Sequence, residues 1–154
     1  VATNWLDDDE RETWRTFMLM YLQLGAQLNR DLAPTGLSYQ DYLVMASLSD
    51  RPDGRMRVVE LGSELGWEKS RISHHISRMC ARGLVRKEPC PTDQRGMYVV
   101  LTSEGRRAIR AAAPAHVESV RRYVVDVLSR EQFAGLGDVA RVVLEVLSTT
   151  SVTG

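Results

Sequence analysis

Apolar positions in the first part of the chain recur at helical spacing: Trp14, the pair Phe17 and Met18, Tyr21, Leu24 and Leu28 follow one another at steps of three or four residues. The stripe predicts a helix over residues 8–32. Met20 and Leu22 widen it beyond one face. A small chain has little core with which to cover so broad a stripe, so the pattern points to burial on more than one side and to a partner subunit. Pro34-Thr35-Gly36 breaks the helix. Ser38 then caps a second one, with Asp41 in the capping-box position and Tyr42, Leu43, Met45, Ala46 and Leu48 as its core face. Arg51-Pro52-Asp53-Gly54 is a turn, and Arg55-Met56-Arg57-Val58 alternates like a short strand.

The middle of the chain changes rhythm quickly. Residues 59–65 form a short helix with Gly66 as its C-cap, Trp67 follows, and residues 68–81 form another helix closed by Gly83. Residues 84–87 and 97–101 are strands joined by a turn-rich loop, residues 89–96, that holds two prolines. Thr102 and Ser103 start a long helix with a break or bend expected near Pro114. Ser129, with Gln132 three residues on, caps a last helix carrying Phe133, Leu136, Val139, Val142, Val143, Val146 and Leu147. The tail from Thr149 is expected to fray. The order is mainly α with one small β-hairpin: a helix-turn-helix followed by a wing, between long N- and C-terminal helices.

The 154 residues suffice for one compact domain, 1–154, and no apolar run is long enough to span a membrane. An acidic, polar start without an apolar stretch predicts a cytoplasmic location. Two cysteines, Cys80 and Cys90, are too few for a disulfide scaffold or a cysteine zinc site. Cys90 beside two prolines is read as exposed, without an assigned role. The formal net charge is zero, but its distribution is not even. Residues 55–110 hold twelve Lys/Arg against six Asp/Glu, and acidic segments flank them. A basic centre between acidic ends suits a polyanion.

On the 68–81 helix, Ile72, Ile76 and Met79 share one sector at about 100° per residue and anchor it. The opposite sector holds Ser70, His74, Ser77, Arg78 and, at its margin, Arg71. These side chains bond base edges and phosphates in a major groove. The plainer reading of such a face is a solvated surface; the scarcity of acids beyond Glu68 favours an anionic partner. At the hairpin, Arg95 suits a minor groove. Asp93 is out of place there unless it orients Arg95 or caps the loop.

Gly83-Leu84-Val85-Arg86, Asp93-Gln94-Arg95-Gly96 and Val99-Val100-Leu101-Thr102 together resemble the wing signature of the MarR family of bacterial regulators, with its D-x-R pair at the tip. The resemblance covers about residues 8–148. It implies a homodimer with interleaved terminal helices (residues 8–32 and 103–148) and a DNA-binding portion (38–102) that places recognition helices in successive major grooves of double-stranded operator DNA. By matched position it assigns Asp93 and Arg95 to the wing, and Ser70, Arg71, Ser73, His74, His75 and Arg78 to the recognition helix. It further implies a repressor that answers to a small phenolic or lipophilic effector. Trp14, Met18, Tyr21, Tyr42 and Trp67 either line such a cavity or belong to the core. No cysteine lies in the first helix, so peroxide sensing of the kind some relatives use does not carry over.

No phosphate-cradling glycine loop, HExxH or G-x-S-x-G pattern occurs, His116 has no nucleophile near it in sequence, and Asp7-Asp8-Asp9 lies in a segment expected to be mobile. Three histidines, two of them adjacent, offer no i, i+4 metal pair. The chain therefore reads as no enzyme, with no cofactor and no metal. A winged-helix module for protein–protein contact, without a DNA role, is the alternative.

Overall fold

The computed structural model describes residues 2–150 and divides the chain into two compact units, Val1–His116 and Val117–Gly154. The first opens on helix α1 (Asp8–Leu32). Asp7 is its cap: the carboxylate accepts the Glu10 N–H at 2.8 Å, and Glu10 accepts the Asp7 N–H at 2.9 Å. Asp8 and Asp9 occupy the first turn. The acidic cluster expected to be mobile is thus a helix start, where carboxylates satisfy free N–H groups and oppose the positive end of the dipole. Only the last turns of α1 enter the core, through Leu28 and Leu32; Trp14, Phe17, Met20, Tyr21 and Leu22 stay exposed in the single chain. The expected two-sided burial of this helix does not arise within one copy.

A 3-10 turn (Ala33–Thr35) leads to α2 (Tyr39–Ser49), whose capping box is the predicted one: Ser38 Oγ accepts the Asp41 N–H and Asp41 accepts the Ser38 N–H, both at 3.0 Å. The buried face of α2 includes Val44, fully buried, while Leu43 is only half-buried, a one-residue rotation from the expected face. Strand β1 (Arg55–Arg57) follows, then α3 (Val58–Leu65) and α4 (Lys69–Ala81). Between these helices Gly66 adopts φ +64°, a left-handed cap that a side chain would strain.

The hairpin is longer than expected. Strand β2 (Val85–Cys90) and strand β3 (Asp93–Leu101) leave only Pro91 and Thr92 as the turn. Pro89 stays in the ladder because β2 is a sheet edge and needs no inward N–H there. The sheet order is β1-β3-β2, all antiparallel, with Val85 opposite Leu101 and Met56 opposite Val99. The register slips between Pro89 and Cys90, so that Cys90 faces Asp93. Helix α5 (Ser103–Val120) begins at Thr102, whose hydroxyl lies 2.6 Å from the Gly83 carbonyl and accepts the Gly105 N–H at 3.0 Å. Leu32, Met45, Leu48, Leu61, Ile76, Met79 and Val99 form the centre of one apolar core that holds α2, α3, α4 and the sheet together.

The expected break at Pro114 is not there: α5 continues through it. Arg110, whose carbonyl loses its partner to Pro114, is exposed, so water can satisfy it. The irregularity comes instead as a π-helical turn, Arg121–Val125, in the second unit. In that unit Ser129 and Gln132 cap α6 (Arg130–Thr150) reciprocally, at 3.1 and 2.9 Å. Thr149 and Thr150 are helical rather than frayed, and the rest of the expected tail lies outside the described residues. No residue of α6 is buried, and Phe133, Leu136, Val139, Val142, Val143, Val146 and Leu147 are all exposed. Among the described residues no helix is long and apolar enough to cross a membrane.

Candidate nucleic-acid interface

Three buried anchors set the orientation of α4. Ile72, Ile76 and Met79 are 2% exposed or less. With that side fixed, Ser70, Arg71, His74, Ser77 and Arg78 face outward and Ser73 is half-buried at the margin. His74 makes no ion pair among the described residues. The guanidinium of Arg71 stacks over the Trp67 ring, 4.4 Å from its centroid, which holds the charge beside the start of the helix. The Ser77 hydroxyl donates to the Ser73 carbonyl at 2.9 Å and accepts from Lys87 Nζ at 3.3 Å. That bond ties the recognition face to strand β2.

His75 departs from the expected set. It points inward and is 8% exposed. Its Nε2 lies 3.0 Å from Asp41 Oδ1, a close contact off the line of a hydrogen bond, and its Nδ1 lies 3.0 Å from the Arg78 guanidinium. The ring also meets the face of Trp67 edge-on, with centroids 5.2 Å apart. Adjacent residues on a helix are about 100° apart, so His74 and His75 cannot both face a groove. Asp41 also takes Arg82 at 2.7 Å. Burial pushes the Asp41 carboxyl pKa up, but the contacts from His75, Arg82 and the Ser38 N–H outweigh it and hold the group well below the usual carboxylate range. Arg82 reaches on to the Gly36 carbonyl at 2.7 Å, joining the end of α4 to the turn before α2.

At the wing, Asp93 does what its position demanded. One carboxylate oxygen accepts the Arg95 N–H at 3.0 Å, and the other accepts from Arg57 at 3.1 Å. The acid is therefore neutralised by a cation of β1, while Arg95 is left exposed and without an ion pair among the described residues. Space is tight at Gly96: a Cβ there would sit 3.0 Å from the Arg57 guanidinium and 3.1 Å from Asp93, so a side chain would press on their bridge. Cys90 lies beneath the same bridge. It is buried, contrary to the exposed reading, because the register slip turns it under Arg57, 3.5 Å away. Hydrogen bonds from Thr92, against the opposing effect of burial and with help from Arg57, bring its thiol pKa down to about 7.

Between α3, α4 and the wing runs a groove of about 610 Å³ with Arg57, Lys69, Lys87 and Arg95 on its walls and Val58, Ile72 and Met97 on its floor. Ser63 and Ser73 add hydroxyls. Sequence reading missed Arg57, Lys69 and Lys87. Lys69 was legible as the first residue of the helix, but Arg57 and Lys87 join the site only through strand pairing. The aromatic set does not gather: Trp14 and Tyr21 are exposed on α1, Tyr42 is in the core, and Trp67 is occupied by Arg71 and His75. Met18 is half-buried, and no described cavity collects these five residues. His116 lies against Tyr42 and Tyr39, with ring centroids 4.2 and 6.0 Å apart. Among the described residues no cluster of His, Cys, Asp or Glu suits a metal ion.

Residues 35–96 match the MarR family model. The chain is similar to the crystal structure of AbsC, a MarR family transcriptional regulator from Streptomyces coelicolor: 40% identity and TM-score 0.88, over 96% of this chain and 99% of that one. It is similar to Sco3205 from the same organism, a MarR family regulator solved in complex with DNA: 36% identity and TM-score 0.88, over 94% and 92% of the two chains. It is 36% identical over 78 residues to the transcriptional regulator HosA of Escherichia coli O111:H-, a match that covers 51% of this chain and 56% of HosA.

Proposed function

The chain belongs to the MarR family of transcriptional regulators, and on that footing we propose that it binds a pseudo-palindromic operator in double-stranded DNA as a homodimer and acts as a ligand-responsive repressor. The observation that carries the DNA reading is the outward face of α4 set beside a cationic groove and an unpaired Arg95. The wing's acid, Asp93, is paired with Arg57 within the fold, so the carboxylate that lines the groove does not meet a polyanion unneutralised. Residues 38–102 are the DNA-binding portion, and residues 8–32 and 103–148 the dimerisation portion. Ser70, Arg71, Ser73, His74, Ser77 and Arg78 address the major groove, and Arg95, braced by Asp93, the minor groove. Sco3205 was solved with DNA bound, which supports the same use of this face.

Pairing is supported by the apolar side chains that α1 and α6 leave in water. A second copy would cover them and set two recognition helices about 34–36 Å apart, one turn of duplex. A phenolic or lipophilic effector that binds better to a dimer with another spacing would release the operator. The test is fluorescence anisotropy of the full chain on a palindromic promoter fragment and a scrambled one, across a salt series. A preference for the palindrome, with affinity falling steeply as salt rises, is expected; its loss in Arg95→Ala and Arg78→Ala assigns the residues. Equal, salt-insensitive binding to both fragments would refute the DNA role and favour a protein-docking module.

A further inference from the structure

Arg78 is expected to read a base, yet it is not a free side chain, and the group that holds it is buried. The only partner of its guanidinium among the described contacts is His75 Nδ1, at 3.0 Å. A guanidinium carries donors and no acceptor, so Nδ1 must be the bare nitrogen of the ring. The ring proton is then on Nε2, which faces Asp41 Oδ1 at 3.0 Å. Asp41 is itself 3% exposed and clamped from two further sides, by the Ser38 N–H and by Arg82. Trp67 closes the remaining side of the imidazole. The charged groups around His75 are thus Asp41 from α2, Arg78 from α4 and, through Asp41, Arg82 just past the end of α4. The carboxylate faces Nε2, the position that carries the ring proton in this arrangement, and the guanidinium, which has donors only, faces the bare Nδ1.

We propose that His75, fixed by Asp41 and Trp67, is a positioning residue that sets the orientation of Arg78 and thereby determines which base pair this chain prefers. A long flexible arginine that tracks phosphate needs no such brace. One that must present a planar fork to a base edge gains from losing its rotamer freedom before DNA arrives. The inference rests on the reading of Arg78 as a base-contacting residue.

The test uses the 154-residue chain and an operator obtained by selection from a random duplex library. Binding is measured to that operator and to single base-pair variants of it. In Arg78→Ala, the preference at one base pair should flatten. His75→Phe, which keeps a ring against Trp67 but has no acceptor, should lose roughly two- to tenfold of the discrimination at that same base pair, the cost of one re-mobilised side chain. Its affinity for random duplex should be unchanged. His75→Gln, whose carbonyl can accept from Arg78, should recover part of the loss, and His75→Phe should add nothing in an Arg78→Ala background. Equal weakening on every sequence, or additivity in the double variant, overturns the proposal. Should Arg78→Ala leave all preferences intact, the base-reading role falls and the brace falls with it; a selective Arg78→Ala with a silent His75→Phe sinks the brace alone. Long-range nitrogen–proton NMR of the unmodified protein gives an answer that needs no variant. A His75 ring with a bare Nδ1 and a protonated Nε2 is expected, and an Nδ1–H ring would refute the arrangement.

Discussion

Replacing Asp41 by Asn is nearly isosteric, and the structure says why it should nevertheless be costly. Two donors converge on Oδ2, the Ser38 N–H at 3.0 Å and Arg82 at 2.7 Å, while His75 Nε2 faces Oδ1 at 3.0 Å. An amide has one carbonyl, so either flip aims its NH2 at a donor. The better flip keeps the carbonyl on Ser38 and Arg82 and turns NH2 against the imidazole, which must then change tautomer and release Arg78. Hydrogen bonds to a charged partner contribute about 1.5–3 kcal/mol and neutral ones about 0.5–1.5. Weakening two and losing a third contact gives a cost of about 2–4 kcal/mol. The assay is urea unfolding at pH 7 at one fixed protomer concentration, since association contributes to stability. The pH dependence carries a sign as well. The folded carboxyl titrates below its unfolded value of about 3.9, so its stabilisation is complete above that value and is lost as pH falls through the folded one. The gap between the two proteins should therefore be full at neutral pH and close below about pH 4. A gap under about 1 kcal/mol at pH 7, or one that acid leaves unchanged, would refute the account of this network.

Other consequences are open to measurement. Arg57→Ala leaves Asp93 as an unneutralised carboxylate at the wing, so binding should weaken by a similar factor on operator and random duplex, with the preference between them kept; selective loss on the operator would show that Arg57 reads sequence. Val143→Glu and Phe17→Glu place charges on exposed apolar faces of α6 and α1, and sedimentation should shift from a dimer toward the 17.3 kDa chain; a dimer that tolerates both would move the interface elsewhere. In a Cys80→Ser background the thiolate absorbance should titrate at about 7, and Thr92→Val should raise that midpoint by removing the side-chain hydrogen bond; an unmoved midpoint would show that Thr92 is not the cause.

The helices were legible because their signals are local. Apolar spacing, the Ser38 and Ser129 boxes and the glycine caps each lie within a few residues of what they determine, and element order followed from them. The hairpin outruns the expected strands because Pro89, which opens the predicted loop, stays in β2: that strand is an edge, and edge position is a property of the whole sheet. The face of α4 was legible in outline, since Ile72, Ile76 and Met79 fix its phase. The same phase excludes His75 from that face, since it lies about 100° around the helix from His74 and is 8% exposed. The partner that makes it a buried residue, Asp41, is far off in sequence and already had an assigned task as a helix cap. The width of the α1 stripe is a local signal as well, and a single chain leaves Trp14, Phe17, Met20, Tyr21 and Leu22 of it exposed.

Asp41 shows why such a site resists sequence reading while remaining physically constrained. One carboxylate accepts the Ser38 N–H at the start of α2, anchors the far end of α4 through Arg82, and faces Nε2 of His75 at 3.0 Å. A residue with three obligations cannot move to suit one of them. A shift of α2 relative to α4 has to be taken up at the Arg82 or the His75 contact, and the His75 contact ends on Arg78, at the surface offered to DNA. The rigid core of Ile72, Ile76 and Met79 resists rotation of α4 as a body, since its packing has no slack to absorb one. The low-cost response to strain in α2 is therefore a reorientation of one side chain on the recognition face, with the helix itself left in place.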